Sequence, residues 1–166
     1  MLNSRTYFGT DGALVISDPT DLDQAVFTKY FGESGLVGHV MGVSLCVQTE
    51  IKAAYEIGRR SPSELRAGNI SISGSVERAY INGAMLKLMI GQYSDAEEAA
   101  GYLIPSFSMK LILDNMAPAG DAGNSIINVF GVMFDTWQAN LPEDDFMLER
   151  MSFRARRISV ADNEVS

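Results

Sequence analysis

Few side chains here could do chemistry. His39 is the only histidine and Cys46 the only cysteine in 166 residues. A lone histidine supports neither a paired metal site nor a Ser-His-Asp set. Lying inside an alternating run, Cys46 reads as a small packed side chain rather than a reactive thiol. Glu143-Asp144-Asp145 lacks the alternating oxygen ligands of a calcium loop and reads as a solvated acidic turn. Glu97-Glu98 reads as a charged helix start. Gly32, Gly35 and Gly38 lead into a strand with no Lys-Ser/Thr pair behind them, so they are not a phosphate loop. No catalytic, cofactor-binding or metal-ligating residue is expected.

Two charged groups remain. Arg154, Arg156 and Arg157 sit near the end, and Arg59, Arg60, Glu64 and Arg66 sit mid-chain beside Leu65. On a chain of net charge −8, the first group suits pairing with carboxylates, within the chain or on a neighbouring subunit, better than a grip on nucleic acid, and the second reads as a solvated loop or as a contact loop reaching another subunit. They are candidates for contact between subunits.

The elements that must position these groups follow from alternation. Val43, Leu45, Val47, Thr49, Ile51, Ala53, Tyr55 and Ile57 share one parity; Ser44, Cys46, Gln48, Glu50, Lys52, Ala54 and Glu56 share the other. Period two marks a strand with a dry and a wet face. A loop from Gly58 to Gly68 follows. Alternation then resumes, with Ile70, Ile72, Gly74 and Val76 against Ser71, Ser73, Ser75 and Glu77. The pair reads as a long antiparallel hairpin, too large for a small core to cover alone. Another copy of the chain is the simplest cover.

Elsewhere, Ala13 to Ile16 reads as a short strand. Thr20 reads as the cap of a short helix carrying Leu22, Val26 and Tyr30, with Gly32 as its end, although Val26 to Phe31 would also suit a strand. Asn82 to Gly91 reads as an apolar helix between two caps, and a helical turn follows at Ser94 to Ala100. Phe107 to Leu113 alternates. Ser125 to Trp137 is apolar on both parities, as a strand covered on two sides would be. Phe146 to Val160 is a last long strand whose apolar parity slips, which a bulge or a bend between sheets would explain. The expected fold is mainly β: two packed antiparallel sheets forming a sandwich or partly open barrel, with a long β-hairpin and one flanking α-helix. Residues 1–166 read as a single domain, with 1–12 and 161–166 as extended or flexible termini. No apolar run approaches a membrane span, and the first residues lack a signal peptide's apolar core, which points to folding in a cytoplasm.

The segment from Gly58 to Gly91 resembles the tail tube proteins of contractile-tailed bacteriophages. The residues carrying the likeness are Pro62-x-Glu64-Leu65-Arg66-x-Gly68-Asn69, then Ile72-x-Gly74-Ser75-Val76-Glu77-Arg78-Ala79-Tyr80-Ile81-Asn82-Gly83, then Leu86 to Gly91. Asp135-x-Trp137, Pro142 to Phe146 and the strand through Phe153 to Val160 are similar to that family's end. The resemblance implies hexameric rings stacked into a hollow tube inside a contractile sheath, through which DNA leaves. It implies the virion tail as location and assembly in the host bacterial cytoplasm. Its partners would be sister subunits, sheath, baseplate and tail terminator proteins, with tape measure protein and DNA passing through the lumen. R-type pyocin and type VI secretion tubes are related, so a phage-derived particle is the alternative. Lumen-lining candidates are Gln48, Glu50, Lys52, Glu56, Ser71, Ser73, Ser75 and Glu77. Their small neutral and acidic side chains give phosphates little to hold, and Lys52 is expected to pair with a neighbouring Glu. The rival from another class is a monomeric small-ligand-binding β-barrel, which needs an apolar interior pocket. An enzyme ranks third.

Overall fold

The computed structural model describes residues 12–17, 24–90, 104–115 and 123–164, with positions 7, 9 and 20. The elements run β1 (Gly12–Ser17), α1 (Gln24–Phe31), β2 (Val40–Ala54), β3 (Glu64–Ala79), α2 (Ala84–Ile90), β4 (Phe107–Asn115), β5 (Gly123–Asn140), β6 (Leu148–Ala155) and β7 (Arg157–Glu164). The mainly β expectation is borne out. The two halves are joined into one antiparallel seven-stranded sheet, ordered β1-β4-β5-β6-β3-β2 with β7 also on β5.

The join is β5. Its first half pairs with β4 and β7, and its second half with β6. Buried positions pass from odd to even between Val129 and Val132. Gly131 sits at the change with φ 63, a left-handed conformation that favours glycine. Across from it the partner strand is interrupted at Arg156, whose N–H donates to Phe130 O at 3.0 Å. Apolar residues on both parities of β5 therefore record a bend, not cover on two sides. The sheet does not close. The segment just before β2 lies along β1 instead, with Ile16 N donating to Gly35 O and Val37 N to Leu14 O.

The interior holds one apolar core. Leu14 and Ile16 of β1, Phe107 and Met109 of β4, Phe134 of β5, and Met151 and Phe153 of β6 form one cluster with Ile72 and Val76 of β3. Phe134 joins Phe107 and Phe153 at centroid distances of 5.0 and 6.4 Å. Both helices feed this cluster. Phe27 and Phe31 lie one turn apart on α1 and touch at 5.2 Å. Gly32, φ 67, ends α1 as expected. Met85 and Leu88 bury one face of α2. Asn82 caps α2: its Oδ1 accepts the N–H of Ala84 at 3.1 Å. The expected cap at Gly91, the helical turn from Ser94 to Ala100 and residues 1–6 and 165–166 of the termini lie outside the described residues, while residues 161–164 pair with 123–126 as the end of β7.

At the open end of this core sits a buried ion pair. Arg78 (3% exposed) donates through Nε to Glu149 (0%). Glu149 also accepts from Trp137 Nε1 at 2.9 Å, and Arg78 reaches Asn82 O at 3.2 Å. Removing one partner of such a pair costs roughly 3–5 kcal/mol. Glu149 takes an inward position in line with Met151 and Phe153. That accounts for the parity slip for which a bulge or a bend between sheets was expected: the inward row begins with a carboxylate, and Phe146 lies outside the strand and exposed.

Candidate functional site

The hairpin is antiparallel as expected, and its register sets Val43 opposite Val76, Ser44 opposite Ser75, Cys46 opposite Ser73 and Gln48 opposite Ser71. Directly opposed residues in an antiparallel pair point to the same side. Following these rows across the half-sheet gives one polar face. Ser75 lies opposite Ser152, Ser73 opposite Arg154, and Glu77 opposite Arg150. The rows continue onto β5 at Thr136, Met133 and Gln138. Asp135, at a register shift between Phe134 and Thr136, also turns to this side. It accepts from Ser152 Oγ at 2.7 Å and lies 3.8 Å from Arg154 Nε.

Seven of the eight lumen candidates share this face: Gln48, Glu50, Lys52, Ser71, Ser73, Ser75 and Glu77. Lys52 meets Glu50 at 3.6 Å, as expected. Glu56 does not share it, since β2 ends at Ala54 and Glu56 lies in the turn, 3.9 Å from Arg59. Cys46 is exposed on the same face, which corrects the expectation of a packed thiol. Its parity is that of the serines.

Beyond Gln48 the hairpin leaves the body as an arm. Thr49 pairs with Ile70 but Ile51 with Ala67, so Gly68 and Asn69 together oppose Glu50. This is a β-bulge. It lets β3 begin at Glu64, earlier than expected, with Leu65 and Ala67 on the same side as Ile70. The loop shortens to residues 55–63. Among the described residues, the arm's apolar side stays largely exposed: Val47 is 51% exposed, Ile51 62%, Leu65 63% and Ile70 66%. Its polar side carries Lys52 opposite Arg66, and Arg66 pairs with Glu64 at 2.8 Å.

Among the described residues, no strand pairs with the outer edge of β2, or with residues 133–140 of β5 on the side away from β6. The half-sheet β2-β3-β6-β5 is thus open at both edges. Exposed strand edges template pairing with further strands.

No protein-family model matches the chain, and no curated protein matches it in sequence. Solved structures do. A chain of the anti-feeding prophage cap, the tube-terminating cap, matches with a TM-score of 0.65 at 8% identity, over 98% of this chain and 95% of that one. One from the sheath–tube complex of the extracellular contractile injection system PVC, in its extended state, gives 0.59 at 9%, over 95% and 93%. The SPP1 tail tube gives 0.57 at 10%, over 97% and 81%. The chain shares its fold with these tube and cap assemblies.

Within this tube-like fold, the arginine candidates divide. Arg154 belongs to the polar face beside Asp135, and Arg59 and Arg66 pair within the hairpin. Arg157 stacks on Phe130 at 4.3 Å. Arg156 lays its stem against Gly131, where a Cβ would meet its Cδ at 2.7 Å. Arg60, Glu64 and Leu65 are exposed on the hairpin. Arg150 went unnoticed in the sequence; the alternation Arg150-x-Ser152-x-Arg154 was its one available signal. Among the described residues, no group of three or more His, Cys, Asp or Glu is placed to hold a metal.

Proposed function

We propose that the chain is a non-enzymatic structural subunit of a hollow tube, six copies forming each ring and rings stacking axially. The observation that carries this reading is the four-stranded half-sheet with a polar face and, among the described residues, two unpaired edges and a projecting arm whose apolar side is exposed. Joining the β2 edge of one copy to the 133–140 edge of the next satisfies both rows of backbone groups and closes a barrel. Six copies of four strands at about 4.8 Å spacing give a circumference of roughly 115 Å and a backbone diameter of roughly 37 Å, before strand tilt widens it. After side chains, that leaves an aqueous bore wide enough for a nucleic-acid duplex. The polar face lines it, and the arm covers its apolar side on a sister subunit.

The fold shared with cap, sheath–tube and tail tube assemblies supports this reading. On it, sheath, baseplate and terminator proteins meet the outer wall and ends, DNA and tape measure protein pass through the bore, and the subunit resides in a virion tail assembled in the host cytoplasm. A phage-derived particle would use the same contacts. The ligand-binding rival needs an apolar interior pocket; Met85, Leu88, Val132 and Phe153 occupy the centre of the core, and a cleft of about 360 Å³ remains between β1, β4 and the start of β2. Negative-stain microscopy of the purified protein at rising concentration tests the proposal. Rings or tubes are expected; a monomer at every concentration, alone and with sheath protein, refutes it.

A further inference from the structure

The polar face holds more charge than its serines suggest. Glu50, Lys52, Glu64 and Arg66 lie on the arm; Glu77, Arg150, Asp135 and Arg154 lie on the body. These are four carboxylates and four cations, so they cancel. The chain as a whole carries −8, and all of that excess therefore lies elsewhere. The cancellation is also local. Glu50 and Lys52 are 3.6 Å apart, Glu64 and Arg66 2.8 Å, and Asp135 and Arg154 3.8 Å. Glu77 and Arg150 are directly opposed across β3 and β6. A random share of so acidic a chain would leave a net negative face.

We infer that this face is built for passage of a charged polymer by pairwise cancellation of charge, not by an acidic lining. A compensated pair has a field that dies within a few ångströms, so phosphates are neither repelled nor held. A row of uncompensated arginines would bind a polyanion with the salt dependence of counterion release. A row of uncompensated carboxylates would oppose its entry. The serines between the pairs add hydrogen-bonding capacity without charge. The inference rests on the proposed function for the identity of the face as a bore, but its test does not require a tube.

The test reads the sign of the local field with a thiol probe. Cys46→Ser removes the native thiol, and Ser75→Cys places one at the centre of the face, with Glu77, Arg150 and Arg154 among its neighbours within and across the strands. Reaction rates with matched cationic and anionic methanethiosulfonates are measured at low salt and divided. A single uncompensated charge at about 8 Å changes each rate by roughly twofold and the ratio by roughly fivefold. The expected ratio is within about twofold of that of a small free thiol. Glu77→Gln with Asp135→Asn should shift it at least fivefold toward the anionic reagent, and Arg150→Gln with Arg154→Gln at least fivefold the other way. High salt should erase both shifts. A parent ratio favouring the cationic reagent fivefold or more, or a ratio unmoved by either pair, overturns the inference. Circular dichroism checks folding, and Arg150→Gln alone repeats the measurement if a double variant is lost. Failure to form rings would sink the tube proposal and leave this ratio unchanged.

Discussion

Replacing Ile51 and Leu65 with threonine should cripple assembly while sparing the protomer. Both side chains lie on the arm's apolar side, 62% and 63% exposed. Fully burying such a side chain contributes about 1.5–3 kcal/mol, so covering the exposed three-fifths of each contributes roughly 1–2 kcal/mol. The pair together stabilises each contact by roughly 2–4 kcal/mol, equivalent to a rise of about 30-fold to several hundred-fold in the concentration needed for assembly. Exposed substitutions shift protomer stability by only about 0.5 kcal/mol, or roughly 1–2 °C in Tm for a chain of this size. Threonine keeps the strand propensity, so the arm itself should persist. Sedimentation velocity across a concentration series gives the assembly threshold, and thermal melts of unassembled protein give the protomer's stability. Assembly at the parent concentration would refute the claim that this side is covered by a sister chain. A large drop in protomer Tm would mean that the arm packs on its own body.

Two further outcomes follow from the core. Arg78→Ala leaves Glu149 charged and buried, which should cost roughly 3–5 kcal/mol and about 10 °C in Tm. Arg78→Met with Glu149→Gln should recover much of that loss in a double-mutant cycle, and additive losses would contradict a coupled pair. Gly74→Val should destabilise by roughly 2 kcal/mol or more, because a Cβ there runs into Ser44 O and the Phe153 ring. Unchanged urea midpoints would show that the strands have room to part.

Much of the architecture was legible because alternation is a local signal. The hairpin, its dry and wet faces, the strand from Phe107 and the Asn82-capped helix can each be read from a few neighbouring residues. What escaped depended on distant partners. The register of β3 against β6 joins residues about seventy to eighty positions apart, so the sequence could not place Arg150 and Arg154 beside the serines. Glu149 broke the apolar rhythm of its strand because it pairs with Arg78, and that partner is invisible locally. The bulge at Gly68–Asn69 hid the start of β3 by reversing its parity, so charged residues that belong to a strand read as loop. Gly131 did the same in β5, where a bend imitated cover on both faces.

A cryo-electron map of the assembled protein at side-chain detail would settle whether the half-sheet is completed by sister chains. The account predicts six-fold rings in which β2 of one copy hydrogen-bonds along residues 133–140 of its neighbour, with Ser73 and Ser75 facing the bore. Rings held together by other surfaces, with both of those edges still open to water, would contradict it.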